Sequence, residues 1–402
     1  MKLNKWTVGL AAVGVVSLAS AARADEKMSQ VQTALSNTTI SGYVSTSFNW
    51  AISPGNYQNS PAGIIPYQGD GKENGFNLDV IKLSIAKPQD ESPYASGYQV
   101  DLLFGPDAVG YDRLAYASDN GATYAGFAIQ QAYIALRTPV GNGIDWKVGV
   151  FNSPIGYESF DAGNNPNYTR SWGYSLEPTS FTGILGTYKI TDQWAVSAGI
   201  ANTANDILNG RPGDKGLRKD WNKTFMGTVS YTAPSSWGSL AGSTFDAGIV
   251  YGFGGDSRYP NYYANGNQIN YYAGATLNTA WKPLKLGASL DYVHNLADDY
   301  WAPTGFEINV LAVDVYGTYQ ATDKLNLSAR LEYTDIDAHG IRGEPISPSA
   351  DGVSVTGTVD YAMWANVISR LELRWDQLNN NQSVGFAKGD SVGFYANLIY
   401  KF

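Results

Sequence analysis

Counting back in twos from the last residue, Phe402, gives Tyr400, Leu398, Ala396, Phe394 and Val392, while the other parity gives Lys401, Ile399, Asn397, Tyr395, Gly393 and Ser391. One set is apolar and aromatic; the other is mostly polar or small. Side chains of a strand alternate between faces, so residues 390–402 read as one strand with an apolar medium on one side and water on the other. The same alternation opens at Thr38–Trp50, where Ile40, Val44, Phe48 and Trp50 oppose Thr39, Ser41, Tyr43, Ser45, Ser47 and Asn49. It recurs with Ile144, Trp146, Val148 and Val150, with Trp194, Val196, Ala198 and Ile200, with Phe245, Ala247, Ile249, Tyr251 and Phe253, and with Leu325, Leu327, Ala329, Leu331 and Tyr333. Two stretches break parity: Phe76–Lys87 slips between Val80 and Ile81, and Phe306–Gln320 is ambiguous around Val310–Val313. A β-bulge is the physical way to absorb such a slip.

The connections alternate in length. Tight ones fall at 139–143, 191–192, 234–243, 282–284, 322–324 and 364–366, with a slightly longer one at 88–96; between them lie long segments rich in Gly, Asn, Asp and Tyr near 51–75, 105–125, 153–180, 203–220, 254–267, 295–305, 335–350 and 377–389. Eight long loops and seven short turns require sixteen strands. The expected fold is all-β: a transmembrane, antiparallel, up-and-down barrel of about sixteen strands, with short periplasmic turns and long external loops. A closed barrel is how strands satisfy their backbone polar groups in lipid. Aromatics near strand ends on the outward parity fit interfacial girdles, with Trp50, Tyr292, Tyr333, Trp375 and Phe394 toward the outer rim and Trp146, Trp194, Trp281, Tyr400 and Phe402 toward the periplasm.

The start of the chain fits an exported protein. Residues 1–24 combine Lys2 and Lys5, an apolar run from Trp6 to Ala19 and the small-residue site Ala22-Arg23-Ala24, the pattern of a signal peptide cleaved after Ala24. The apolar run is too short for a membrane-spanning helix. Residues 25–37 read as a periplasmic lead-in and 38–402 as the barrel. Cysteine is absent, so stability must come without disulfides. Cleavage would remove three positive charges and take the formal net charge from −9 to −12, which makes nucleic acid an unsuitable partner.

Fixing the outward parity fixes the inward one, and charge accumulates there. Residues 367–376 direct Arg370, Glu372, Arg374 and Asp376 inward, and residues 325–334 direct Asn326, Ser328, Arg330, Glu332 and Thr334 inward. A charge facing lipid costs about 2–4 kcal/mol at the midplane, so confinement to one parity supports a water-filled interior. The third long segment, 153–180, carries Glu158, Asp161 and Arg170. Folded inward, it would narrow the passage, with Glu158 and Asp161 facing a ladder of Arg330, Arg370 and Arg374 across a constriction. The alternative is that these charges pair with one another and hold a plugged lumen. Tyr43, Tyr133 and Tyr395 could line a path for sugar rings. Catalytic and metal signals are thin: His294 and His339 sit near outer strand ends without a nucleophile motif, and Asp298, Asp299, Asp335 and Asp337 have no specific spacing for a cation. No cofactor is implied.

Phe104-Gly105-Pro106-Asp107-Ala108 and Gln131-Ala132-Tyr133, followed by Gly149 through Glu158, then Asn164, Asn165, Tyr168, Arg170, Ser171, Thr182 and Gly183, resemble the OmpL-like β-barrel porin family of exported bacterial proteins. The resemblance is most specific over about residues 97–202. It implies an outer-membrane barrel for passive passage of small hydrophilic solutes, inserted by the barrel-assembly machinery through the strand ending at Phe402, in contact with outer-membrane lipids, and by analogy of size a homotrimer. A plugged structural or adhesive barrel is the second reading, and an outer-membrane hydrolase the third.

Overall fold

The computed structural model describes residues 37–53, 72, 74–110, 126–204, 208–210, 213–214, 217–218, 221–254, 267–297, 306–340, 350–380 and 389–402. The expected signal peptide, nearly all of the expected lead-in and most of the other long segments, including Asp298 and Asp299, lie outside the described residues. These form a closed antiparallel barrel of sixteen strands. In chain order they are β1 (Thr39–Ser53), β2 (Gly75–Lys87), β3 (Ser96–Phe104), β4 (Phe127–Thr138), β5 (Ile144–Asn152), β6 (Ser180–Lys189), β7 (Trp194–Ala201) and β8 (Thr224–Thr232), followed by β9 (Thr244–Phe253), β10 (Asn267–Asn278), β11 (Leu284–Ala297), β12 (Phe306–Gln320), β13 (Leu325–Gly340), β14 (Ala350–Tyr361), β15 (Val367–Asn380) and β16 (Gly389–Lys401). A two-residue ladder, Gly213–Asp214 with Leu217–Arg218, stands apart from the barrel sheet.

Each strand pairs with its sequence neighbours, and β16 closes onto β1 in the register Tyr43↔Lys401, Ser45↔Ile399, Asn49↔Tyr395. Closure leaves no free edge. The strict alternation expected along β13 is observed: Leu327, Leu331 and Tyr333 are exposed on the outside, while Ser328, Arg330, Glu332 and Thr334 are buried on the inside. β15 behaves alike, with Leu371 and Leu373 outward and Arg370, Glu372, Arg374 and Asp376 inward. β13 and β15 run to Gly340 and Asn380, beyond the stretches where sequence alternation is clearest. Their 16 and 14 residues exceed the roughly 9–11 that cross a bilayer.

The two parity breaks resolve differently. In β2 the register jumps from Ser45↔Val80 to Thr46↔Leu78, which makes Asp79 the extra residue of a bulge and turns both Asp79 and Val80 inward. β12 has no bulge. Its register with β13 is continuous from Phe306↔Gly340 to Gln320↔Asn326, and Ala312, Asp314 and Tyr316 all point inward. The ambiguity arose because small apolar Ala312 occupies an inward position that is dry.

Outward aromatics cluster as girdles require. Trp194, Tyr231 and Phe245 stand in a row across β7, β8 and β9, with Trp237 of the β8–β9 turn packed at an angle against Tyr231 and Phe245. Trp281 packs on Tyr319 at 4.7 Å, and Trp50 lies opposite Phe394.

Candidate functional site: a loop folded into the barrel

The segment between β5 and β6, residues 153–179, lies inside the barrel. It contains a 3-10 turn, Ala162–Asn164, and a short helix, α1 (Trp172–Leu176). Ser171 caps α1 by accepting from the Tyr174 amide at 3.1 Å. A segment this long, with most of its backbone irregular, must find partners for its polar groups inside the barrel. The wall supplies them.

Arg330 on β13 pairs with Glu158 at 2.8 Å and donates to the carbonyls of Thr169 at 2.7 Å and Arg170 at 3.1 Å. Arg374 on β15 also donates to the Arg170 carbonyl, at 2.5 Å, while pairing with Asp376 at 2.7 Å and Glu332 at 3.1 Å. Arg370 donates to the carbonyls of Ala162 at 2.6 Å and Asn165 at 2.9 Å and is held by Asp360. Glu372 accepts from the amides of Tyr168 at 2.6 Å and Thr169 at 2.9 Å. Glu332 pairs with Arg330 at 2.7 Å. The wall's charges thus grip the loop's main chain. A guanidinium offers five donors in a fixed fork, which suits it to several carbonyls at once.

The candidate residues therefore occupy three places. Glu158 of the loop joins Arg330, Glu332 and Arg374 of the wall in one buried network, with Arg330 at 0% exposure and Arg374 at 1%, while Arg370 and Glu372 grip the loop's main chain beside it. Asp161 does not pair with the arginines: it reaches further round the same wall, three strands from β15, and pairs with Lys82 on β2 at 2.9 Å, with the Tyr43 hydroxyl donating to it at 3.0 Å. Arg170 lies within the loop, donating to the carbonyls of Tyr168 and Phe160 and lying over the Tyr174 ring. Tyr43 and Tyr395, read from sequence as path-lining, instead meet the loop, Tyr395 through the Tyr168 ring at 5.8 Å.

Several anchoring groups carried no sequence signal of their own. The bulge residue Asp79 accepts from Ser45, Ser47 and the Tyr168 hydroxyl, the last at 2.9 Å. Its signal was the parity slip itself. Trp172 donates its indole N–H to Ser354 at 2.8 Å, and Tyr157 stacks on Tyr316 with ring centroids 4.3 Å apart. The wall makes room for this stack with Gly287, where a Cβ would collide with the Tyr157 hydroxyl. Gly173 in α1 does the same, since a Cβ there would lie 2.5 Å from Asp314 Oδ2 and 2.7 Å from Asp291 Oδ2. At the loop's roots the inward side is apolar, with Phe151, Ile155, Phe181, Leu185, Met226 and Val250 in one buried cluster.

Electrostatics within the loop are uneven. Burial alone would raise the Asp161 carboxyl, but Lys82 and the hydrogen bonds from Lys82 and Tyr43 bring it below the ordinary range. Glu177, at the end of α1, goes the other way: burial and then the nearby Asp291 carboxylate push it well above its usual value. Burial lifts the Tyr157 phenol to about 12. His294 is bonded to Asn309 at 2.7 Å. Among the described residues no group of three or more His, Asp or Glu is placed to hold a metal.

The barrel architecture recurs among known proteins. The family described as "Putative beta-barrel porin-2, OmpL-like" matches residues 37–402, nearly the whole chain. The chain belongs to that family. A search of curated proteins finds no match. Among solved structures, the outer membrane channel DcaP of Acinetobacter baumannii superposes with a TM-score of 0.60 at 12% identity, covering 93% of this chain and 100% of that one. An anion-selective porin from Comamonas acidovorans gives 0.56 at 11% identity, covering 91% and 99%. The trimer form of OmpT from Vibrio cholerae gives 0.53 at 14% identity, covering 91% and 99%. At such identities the likeness establishes the fold, that of bacterial outer-membrane barrel porins; activities belong to those proteins.

Proposed function

We propose that this porin-family barrel conducts small hydrophilic solutes passively across the bacterial outer membrane, its lumen narrowed by residues 153–179, without catalysing a reaction. The observation that carries this reading is the inner loop, held in mid-barrel by the Glu158, Arg330, Glu332, Arg370, Glu372 and Arg374 network rather than left outside. Solutes would pass between the loop and the periplasmic part of β5 to β9, where the inward groups include the hydroxyls of Thr187, Ser197, Thr228 and Ser230 and the charges of Asp145, Lys147, Lys189 and Asp246. Width and charge at such a passage select what crosses. In this reading Arg330, Arg370 and Arg374 act by fixing the loop, while Asp161 and Lys82 mark its tip.

Residues 1–24 acting as a removable export signal, insertion by the assembly machinery through the strand ending at Phe402, and association of three copies complete the reading. The trimer form of OmpT supports the last by fold alone. Single-channel recording in planar bilayers tests the whole. Wild-type protein is expected to give discrete open-channel current. Glu158→Gln and Arg370→Gln are expected to change its amplitude or noise, because each loosens a loop anchor. Unchanged current and ion preference in both variants would refute a loop-set constriction. No current at all would favour a plugged structural or adhesive barrel.

A further inference from the structure

Below the loop tip, a pocket of about 160 Å³ opens between the 3-10 turn at Ala162–Asn164 and the wall where β16, β1 and β2 meet. It belongs to neither the arginine network nor the hydroxylated wall. Its lining includes Ser41, Lys82, Ser84, Asp161, Gly163 and Lys401. Its two ammonium groups are partnered unequally. Lys82 is compensated by Asp161 at 2.9 Å and Asp101 at 3.4 Å, and Asp161 by Lys82 together with the Tyr43 hydroxyl. Lys401 has no carboxylate within ion-pair distance among the described residues. Arg370, on the neighbouring strand β15, is engaged by Asp360 and two loop carbonyls. Lys401 feels Asp161 across the pocket but forms no contact ion pair with it.

Next to it stand two adjacent hydroxyls. Ser41 and Ser84 are direct cross-strand partners on the inward parity, and neither side chain has a protein partner among the described residues. Gly163 keeps the site open toward Lys401, since a Cβ there would lie 3.2 Å from the Lys401 Nζ. An ammonium beside two hydroxyls, with Ile399 as an apolar side, matches a ligand carrying one carboxylate, a hydroxyl and a short carbon chain. A dry cavity of about 150 Å³ holds a benzene ring, so about six heavy atoms fit.

We propose that this pocket is a binding subsite for small hydroxycarboxylate anions, with Lys401 holding the carboxylate and Ser41 and Ser84 the hydroxyl. The proposal deepens the porin reading and rests on it for the route by which the anion arrives. A weak site is what a channel requires, because a solute that binds tightly does not leave.

The test uses the full-length protein in detergent micelles, with lactate as the probe and lactamide as its uncharged counterpart, read by saturation-transfer NMR on the probe methyl. Lactate is expected to bind in the millimolar range and lactamide at least about fivefold more weakly, since a hydrogen-bonded charge is lost. Lys401→Gln should remove this preference; Lys401→Arg should keep it, and Lys324→Gln, exposed in the β12–β13 turn, should leave it unaltered. Equal binding of lactate and lactamide, or an unchanged preference in Lys401→Gln, overturns the subsite. If Lys401→Gln fails to assemble, Ser84→Ala decides: an unchanged affinity there counts against the site. Bilayer recordings separate the two readings. Current without any lactate-dependent blockade, together with no NMR preference, leaves the pore and removes the subsite. NMR preference in a protein that never conducts keeps the subsite and removes the pore.

Discussion

The inner surface of this barrel has two halves built on opposite principles. Beneath the loop, β12 to β16 and β1 and β2 carry arginines, carboxylates and a bulged aspartate, and these are buried. Along β6 to β9 the periplasmic half carries Thr187, Thr228 and Ser230, partly open to the lumen, with Ser197 buried against Thr187. The difference teaches that inward charge is not by itself a sign of a water-lined passage. Burying an ion is expensive unless it is paired and hydrogen-bonded, and the charged half is densely paired because it has been covered. The sparsely charged half can stay wet without such a network.

The largest effect is expected where the covered half is broken. Arg330→Met leaves Glu158 without its cation and Glu332 with Arg374 alone, and strips two carbonyls of a donor. Removing one member of a buried pair costs about 3–5 kcal/mol. Loop release offers a cheaper escape, so the variant should show both a lower temperature for the heat-induced mobility shift in SDS gels and noisier single-channel current. Replacing Arg330 and Glu158 together by Met and Leu should restore much of the thermal loss, since both ends of the pair are then apolar.

Most of the barrel was legible from sequence because period-two patterning is a local signal. The outward leucines of β13 and β15, the alternation of loop lengths and the terminal strand each declare themselves within about ten residues. Even the β2 bulge is visible as a parity slip, although only the register identifies Asp79 as the extra residue. The candidate site was legible in composition but not in pairing. Which carboxylate meets which cation depends on where the segment between β5 and β6 comes to rest, and parity holds no information about that. Asp161 illustrates the loss: three residues from Glu158 in sequence, it ends five strands round the wall from Arg330, at Lys82. The false ambiguity in β12 has the complementary cause. Ala312 points inward yet meets no water, because Trp172 and Leu378 pack over it.

A smaller effect should follow from crowding the seat of the loop without touching its charges. Gly287→Val places a branched side chain where the Tyr157 ring lies against the wall. Overpacking of this kind costs about 1–3 kcal/mol. The stack on Tyr316 should shift, shortening channel open times, whereas Gly317→Val, at an outward position facing Leu286, should leave current unchanged. Equal effects at the two glycines would show that the loop is not seated on this wall.

Glu177 tests the junction between the halves, and the sign follows from its raised carboxyl. The folded state keeps this proton to higher pH than the unfolded chain does, so its contribution to stability is present below the ordinary value near 4.5 and is lost as pH rises above it. Glu177→Gln keeps an oxygen to accept from the Tyr157 amide and removes the titration. The variant should melt at higher temperature than wild type at pH 8 and with no advantage at about pH 3.5. A pH-independent difference would mean that the carboxyl is not desolvated at all.

The mildest contrast isolates covering from chemistry by making one substitution in each half. Thr358 lies under the loop, donating to Glu372 at 2.6 Å and accepting from Asn167 at 2.7 Å. Thr228 stands on the open wall and is partly exposed. Threonine to valine preserves shape and deletes one hydroxyl in both places. At Thr358 it leaves a buried amide and a buried carboxylate each short of a partner, a penalty of about 1–3 kcal/mol. At Thr228 water replaces whatever the hydroxyl did, and the change should stay within about 0.5 kcal/mol, as at an ordinary surface position. Thermal gel shifts of the two variants measure the difference directly. Matching losses would mean that the wall along β6 to β9 is as dry as the one beneath the loop, and a solute path along it could not then exist.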